Sequence, residues 1–169
     1  GTNWQDEIFQ LGSQDQVQLN VKKGNFFISG SAQTNKGTIK ATEYNRYTVR
    51  LTYNEKLFEP VRMFLSVSNG FEDRFNADFD QLVTIIQSAI GWPTNIPVYD
   101  PVTGDYSRNQ AYGTLAANPM YLINERPGRS LRNDFLMNGF LEFNLTKDLK
   151  FKTQGAINLK AASSTSFNR

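Results

Sequence analysis

Asp134-Phe-Leu-Met-Asn-Gly-Phe-Leu-Glu-Phe-Asn-Leu-Thr-Lys-Asp-Leu-Lys-Phe-Lys-Thr-Gln-Gly-Ala-Ile-Asn-Leu-Lys160 is the stretch on which the fold turns. Its first arm places Phe135, Met137, Gly139, Leu141, Phe143 and Leu145 at odd positions, with Leu136, Asn138, Phe140, Glu142 and Asn144 between them. A turn at Thr146-Lys147-Asp148 follows. The second arm continues the alternation with Leu149, Phe151, Thr153, Gly155, Ile157 and Leu159 against Lys150, Lys152, Gln154, Ala156, Asn158 and Lys160. Because side chains alternate faces along a strand, the hairpin has one uncharged face and one mostly polar face. Arms of about ten residues match the length a tilted strand needs to cross a bilayer.

The same pattern recurs upstream. Val17, Leu19 and Val21 face away from Gln16, Gln18, Asn20 and Lys22, and a tight turn at Lys23-Gly24-Asn25 follows. Phe26, Ile28, Gly30 and Ala32 then oppose Phe27, Ser29, Ser31 and Gln33. Tyr47, Val49, Leu51 and Tyr53 alternate with Arg46, Thr48, Arg50 and Thr52; Val61, Met63, Leu65 and Val67 alternate with Arg62, Phe64, Ser66 and Ser68. Within these six strands the apolar face carries no charge. A charge facing lipid costs about 2–4 kcal/mol at the midplane, whereas water tolerates it. Phe26, Tyr53, Phe143 and Phe151 lie near the short turns, with Tyr47 and Phe135 near the long connections, as interfacial girdles require. The alternative is an antiparallel sheet with one face buried in a core.

Connection lengths supply a second line of argument. They alternate: short at 23–25, long at 34–45, short at 54–60, very long at 69–133, short at 146–148. Outer-membrane barrels combine short periplasmic turns with long extracellular loops. The expected fold is therefore all-β, an antiparallel transmembrane β-barrel segment of about six strands with a long extracellular loop containing a short helix. Residues 1–13 are expected to end one extracellular loop, 14–68 to form four strands, 69–133 the long loop, 134–160 the hairpin and 161–169 the start of the next loop. Six strands fall short of the smallest common barrel, and the start Gly1-Thr2-Asn3 suggests a piece of a longer chain.

Composition narrows the chemistry. The 169 residues contain no cysteine and no histidine, which removes thiolate metal sites and the commonest general base, and the net charge is +2. No cofactor, metal or nucleic-acid partner is expected. No apolar run approaches the eighteen or so residues of a membrane helix, and barrel strands escape bulk hydropathy because their apolar half is hidden in alternation.

The long loop has signals of its own. Asp78 and Gln81 form a capping-box pattern; Phe79, Leu82, Val83, Ile86 and Ile90 recur at helical spacing, and Gly91 and Pro93 end the helix, which is expected to pack on the barrel rim. Ile96 to Tyr106, with Pro101 and Gly104, reads as a small hairpin. Trp92, Tyr99, Tyr106, Tyr112 and Tyr121 combine apolar rings with polar tips, suited equally to ligand contact and to packing the loop together. Asp73, Asp78, Asp80, Asp100 and Asp105 contain material for a glycosidase carboxylate pair, but aspartate is frequent in caps and turns and no catalytic residue is assigned.

An ordered set of segments adds a resemblance. Trp4-Gln5-Asp6-Glu7-Ile8-Phe9 is followed by Phe27-Ile28-Ser29-Gly30-Ser31, Lys36-Gly37-Thr38-Ile39-Lys40 and Tyr44-Asn45-Arg46-Tyr47-Thr48-Val49-Arg50-Leu51. Ile96-Pro97-Val98-Tyr99-Asp100, Asn118-Pro119 and Leu149-Lys150-Phe151-Lys152-Thr153 come later. In this order they resemble the early barrel region of SusC/RagA-type TonB-dependent outer-membrane transporters. The resemblance implies a bacterial outer-membrane importer of oligosaccharides or peptides, with a SusD-like surface lipoprotein as partner and TonB acting through a plug domain not contained in these residues. It also implies a lumen-facing set, Arg46, Arg50, Arg62, Glu142, Lys150 and Lys152. The lipid-facing set is Tyr47, Val49, Leu51, Tyr53, Phe135, Leu141, Phe143 and Phe151. Inward Phe27, Phe64, Leu136 and Phe140 are expected to pack against the plug. The competing function is a soluble β-rich glycan-binding module.

Overall fold

The computed structural model describes residues 1–76, 79–108 and 117–166, with the side chains of 79–81 left aside. Six strands, β1 (Ser13–Lys23), β2 (Phe26–Lys36), β3 (Glu43–Phe58), β4 (Val61–Phe75), β5 (Gly128–Asn144) and β6 (Lys150–Ser166), form one sheet in chain order. Every neighbouring pair is antiparallel, and β1 and β6 do not meet. The expected all-β meander is present.

Register carries the alternation from strand to strand. Val21 pairs with Ile28, Ile28 with Leu51, Leu51 with Val67, Val67 with Met137 and Met137 with Ile157, giving one fully apolar row across the sheet. A slip of one residue in any strand would send its apolar set to the other face. The apolar face has no protein layer over it: Val17 is 71% exposed, Leu19 69% and Leu159 60%. That removes the buried-core alternative for the sheet within this chain.

The strands run further than the apolar alternation reaches. β4 continues to Phe75, β5 starts at Gly128 and β6 extends to Ser166, so the connection expected at 69–133 contracts to 76–127. Residues 161–166, expected as the start of a loop, are strand. The connection at 34–45 likewise shrinks to 37–42, and that at 54–60 to a two-residue turn with a cis Glu59–Pro60 bond. Ladder hydrogen bonds are made by the backbone and need no apolar side chain. Polar residues therefore extend the sheet where their own pairs allow it. Arg129 grips Asp73 across β4 and β5 with Nε–Oδ1 and Nη2–Oδ2 distances of 2.9 and 2.7 Å.

One expectation changes in consequence. The apolar face is uncharged as a band, not over its whole length. In register it meets Asp15, Lys36, Glu43, Asp73 and Arg129 towards one end, and Lys23 and Glu55 towards the other. On β4 the uncharged run from Val61 to Phe71 covers about 34 Å at roughly 3.4 Å per residue. A tilt of about 40° lowers that to about 26 Å, against a lipid-facing band of about 25 Å in outer-membrane barrels. Tyr47 and Phe135 lie inside the lengthened strands; Phe71 is level with Tyr47 in register, and Phe75 stands nearer that end.

Three short helices gather at the end with the long connections: α1 (Trp4–Ile8), α2 (Phe79–Gly91) and α3 (Pro119–Glu125). The helix expected after residue 78 is α2; the capping-box residue Asp78 lies outside the described residues, as does the Gln81 side chain. The Asn3 side chain caps α1 by accepting the Gln5 N–H at 3.2 Å, and Asn118 caps α3 by accepting the Met120 N–H at 3.0 Å, with Pro119 opening the helix. Together they bury a small core. Ile8, Ile39, Ile85, Leu122 and Ile123 form one cluster and Trp4, Trp92 and Ile96 another. Among the described residues, Val61 alone of the buried hydrophobics belongs to a strand. The core is a cap on one end of the sheet.

Candidate functional site

Two surfaces can meet a solute: the polar face of the sheet and the cap. On the polar face the register brings Arg46 beside Glu72, and Arg62, Glu142 and Lys152 into one row. All six residues expected to face a lumen, Arg46, Arg50, Arg62, Glu142, Lys150 and Lys152, therefore share this face. Glu72, 8% exposed, is held by Arg74 at 2.9 Å and Arg46 at 3.7 Å. Around them Gln16, Ser29, Arg50, Asp134 and Lys160 line a concave hollow of about 530 Å³. Ser31 and Thr48 hydroxyls bond across β2 and β3 at 2.6 Å. Nearer the short turns Phe64 stacks on Phe140, centroids 5.2 Å apart, and the Lys152 ammonium sits 4.0 Å from the Phe140 centroid. A polar wall with an aromatic patch results.

The eight residues expected to face lipid, Tyr47, Val49, Leu51, Tyr53, Phe135, Leu141, Phe143 and Phe151, occupy the opposite face in register. Aromatic pairs mark its short-turn end: Phe26 with Tyr53 at 4.6 Å and Phe143 with Phe151 at 6.0 Å.

The cap contains the second candidate. Asp100 accepts the Val102 and Thr103 backbone N–H groups at 2.8 and 3.1 Å, which shapes the turn and holds its carboxyl below the usual aspartate value. The turn brings Tyr99 opposite Tyr106, rings 5.0 Å apart. Tyr106 meets Tyr121 edge to face at 5.8 Å, and the Asn124 amide donates to the Tyr106 hydroxyl at 2.9 Å. The Tyr99 phenol is pushed up, first by its hydrogen bond to Tyr106 and then by partial burial. The Arg126 guanidinium lies 5.5 Å from the Tyr121 centroid. Beside this chain of rings is a cavity of about 600 Å³, walled by Trp92, Asp105, Tyr106, Arg108, Tyr121 and Glu125 among others.

Of the aromatic residues singled out in the sequence, the structure thus brings together Tyr99, Tyr106 and Tyr121. Trp92 borders the same cavity but is only 3% exposed, edge-on to Trp4 at 5.4 Å, so its main work is packing. Tyr112 lies outside the described residues. Asp105, Arg108 and Glu125 carry the cavity's charge. Nothing in the spacing of Arg108 and Glu125 marks them in the sequence, and Asp105 stands out there only as one of five aspartates that could supply a carboxylate pair.

No protein-family model matches the chain, and no curated protein matches it. Solved structures do. One chain of the RagAB peptide transporter superposes with a TM-score of 0.74 at 18% identity, over 97% of this chain and 19% of that one. Chains of the RagAB peptide importer in its "closed-closed" and "open-open" states both give a TM-score of 0.68, at 19% and 18% identity, with the same coverage. The structural neighbours are transporters, not enzymes. The present chain spans 19% of the length of the first matched chain. Its fold is that of a six-stranded section of a chain of the RagAB peptide transporter.

Proposed function

We propose that these residues form part of the barrel wall of an outer-membrane TonB-dependent importer of oligosaccharides or peptides. The observation that carries the reading is the continuous uncharged band across six antiparallel strands, exposed on its apolar side and about the height of a bilayer's hydrocarbon core. The likeness to RagAB chains supports it. In this arrangement the apolar face meets lipid and the polar face with Arg46, Arg50, Arg62, Glu142, Lys150 and Lys152 lines the lumen. The short turns point to the periplasm and 76–127 to the cell exterior. A SusD-like lipoprotein covers that side, TonB acts through a plug elsewhere in the parent protein, and Tyr99, Tyr106 and Tyr121 serve as ligand or lid contacts.

The test is the membrane behaviour of the parent protein. Cells are fractionated, the outer membrane is extracted with detergent, and intact cells are treated with protease. Recovery in the outer membrane with surface cleavage within 76–127 is expected. A soluble, monodisperse parent that needs no detergent overturns the assignment.

A further inference from the structure

We infer that the cap cavity beside Tyr106 and Tyr121 is a subsite for a zwitterionic ligand, the free end of a short peptide; the inference rests on the importer reading. The cavity is walled by charges of both signs, Asp105 and Glu125 against Arg108. Each of the ion pairs found among the described residues lies elsewhere, in or beside the strands. These three charges are therefore available to a ligand. The amide of Asn118, in the same wall, is already committed: it donates to the Val98 and Ser107 carbonyls at 2.9 and 3.3 Å and accepts from Met120. What the wall has left to offer is charge and aromatic surface.

That combination selects between the two cargo classes. A neutral sugar in the cavity meets the exposed Asp105 and Arg108 and the half-buried Glu125 with hydroxyl hydrogen bonds alone. A peptide terminus returns an ammonium for the carboxylates or a carboxylate for the guanidinium, and charge-assisted bonds are about twice as strong as neutral ones. The two carboxylates and one guanidinium of the lining, with the Arg126 guanidinium on Tyr121 beside them, balance, which suits a ligand with a carboxylate and an ammonium group. Tyrosine rings accept a cationic group on their faces, and Tyr121 already does so for Arg126. The volume of about 600 Å³ lies within the roughly 300–1,000 Å³ of small-ligand pockets, room for two or three residues. The rings are also fixed before a ligand arrives, since Tyr106 is held between Tyr99 and Tyr121 and by Asn124.

The experiment uses the detergent-solubilised parent protein and calorimetric titration with three probes: the tripeptide Lys-Ala-Ala with free termini, the same peptide N-acetylated and C-amidated, and maltotriose. The free peptide is expected to bind, and blocking its termini to weaken binding about tenfold or more. Arg108→Gln and Glu125→Gln are expected to weaken the free peptide about two- to fivefold each, the loss of one solvent-screened ion pair. Maltotriose binding in place of the peptide, equal binding of free and blocked peptides, or no binding of any probe overturns the proposal. Protease patterns in 76–127 show whether the variants keep the cap, and the blocked peptide tests the wild type without any variant. Failure of the importer reading appears separately, in fractionation: a soluble parent that still distinguishes free from blocked peptide refutes the importer alone.

Discussion

Replacing Leu51 by arginine tests the lipid-facing band at its centre. Leu51 sits in the apolar row between Ile28 and Val67. Val67 lies six residues from Val61 and four from Phe71 on β4, which a tilt of about 40° turns into depths of about 15 and 10 Å from the two edges at roughly 3.4 Å per residue. Near the midplane an arginine costs about 2–4 kcal/mol, a factor of roughly 30 to 1,000 in the folding equilibrium at 1.4 kcal/mol per decade. The neighbouring Thr52 faces the other way, onto the polar wall that already holds Arg50. Thr52→Arg is expected to stay within about 0.5 kcal/mol. The assay is urea unfolding of the parent protein in lipid vesicles, read by heat-modifiable gel migration. Equal effects at positions 51 and 52, or no loss at 51, would refute the assignment of faces.

Three further outcomes follow from local geometry. A Cβ on Gly139 would lie 2.9 Å from the Phe64 carbonyl oxygen, so Gly139→Ala must move backbone and is expected to cost about 1–3 kcal/mol; its cross-strand partner Gly155 has nothing within 4 Å, and Gly155→Ala should be neutral in the same unfolding assay. Asn76 is 1% exposed with φ +50°; its amide donates to the Ile123 carbonyl at 3.2 Å and accepts the Gly128 N–H at 2.8 Å. Asn76→Ala should cost about 2–4 kcal/mol and speed proteolysis of 76–127, while Asn76→Gly removes only the backbone part of that loss. The Tyr99 phenol, raised by its bond to Tyr106, should ionise above the ordinary tyrosine value of about 10. Its contribution to the cap is whole below that value and is lost as pH rises through the folded one; ultraviolet titration should show a late-ionising phenol that disappears in Tyr99→Phe.

The sheet was legible because each strand keeps one face uncharged over a fixed height, a rule that lipid would impose and that survives in a single sequence. Leu51 and Val67 obey it whatever surrounds them. Strand ends obey no such rule. Asp73 and Arg129 interrupt the apolar alternation, yet they continue the ladder because they satisfy each other across it. From sequence they look like loop. The Tyr99–Tyr106 contact could be read from the turn chemistry of Pro101 and Gly104, which sets those residues opposite one another. The α3 start was written in Asn118-Pro119, an N-cap followed by a proline at the first helical position. Trp4 and Trp92 carried no such sign. Their contact joins segments far apart in the chain, and no period links them, so Trp92 looked like a ligand contact when most of its surface is core.

The location of the buried side chains explains why the two parts of this chain read so differently. Isoleucine, leucine and tryptophan from the segment before β1 and from two connections bury one another in the cap, as they would in any water-soluble domain, and such packing is specified by three-dimensional complementarity rather than by period. The strands bury almost none of their apolar side chains against protein, and between neighbouring strands the backbone groups pair with each other. Their stability in this fold therefore depends on the solvent on the apolar side, whereas that of the cap depends on contacts such as Asn76 with Gly128 and Trp4 with Trp92. Cap residues are thereby free to change chemistry without disturbing the uncharged band of the strands. Recognition residues can accumulate there, and Asp105, Arg108 and Glu125, which make no ion pair among the described residues, are the ones in a position to do so.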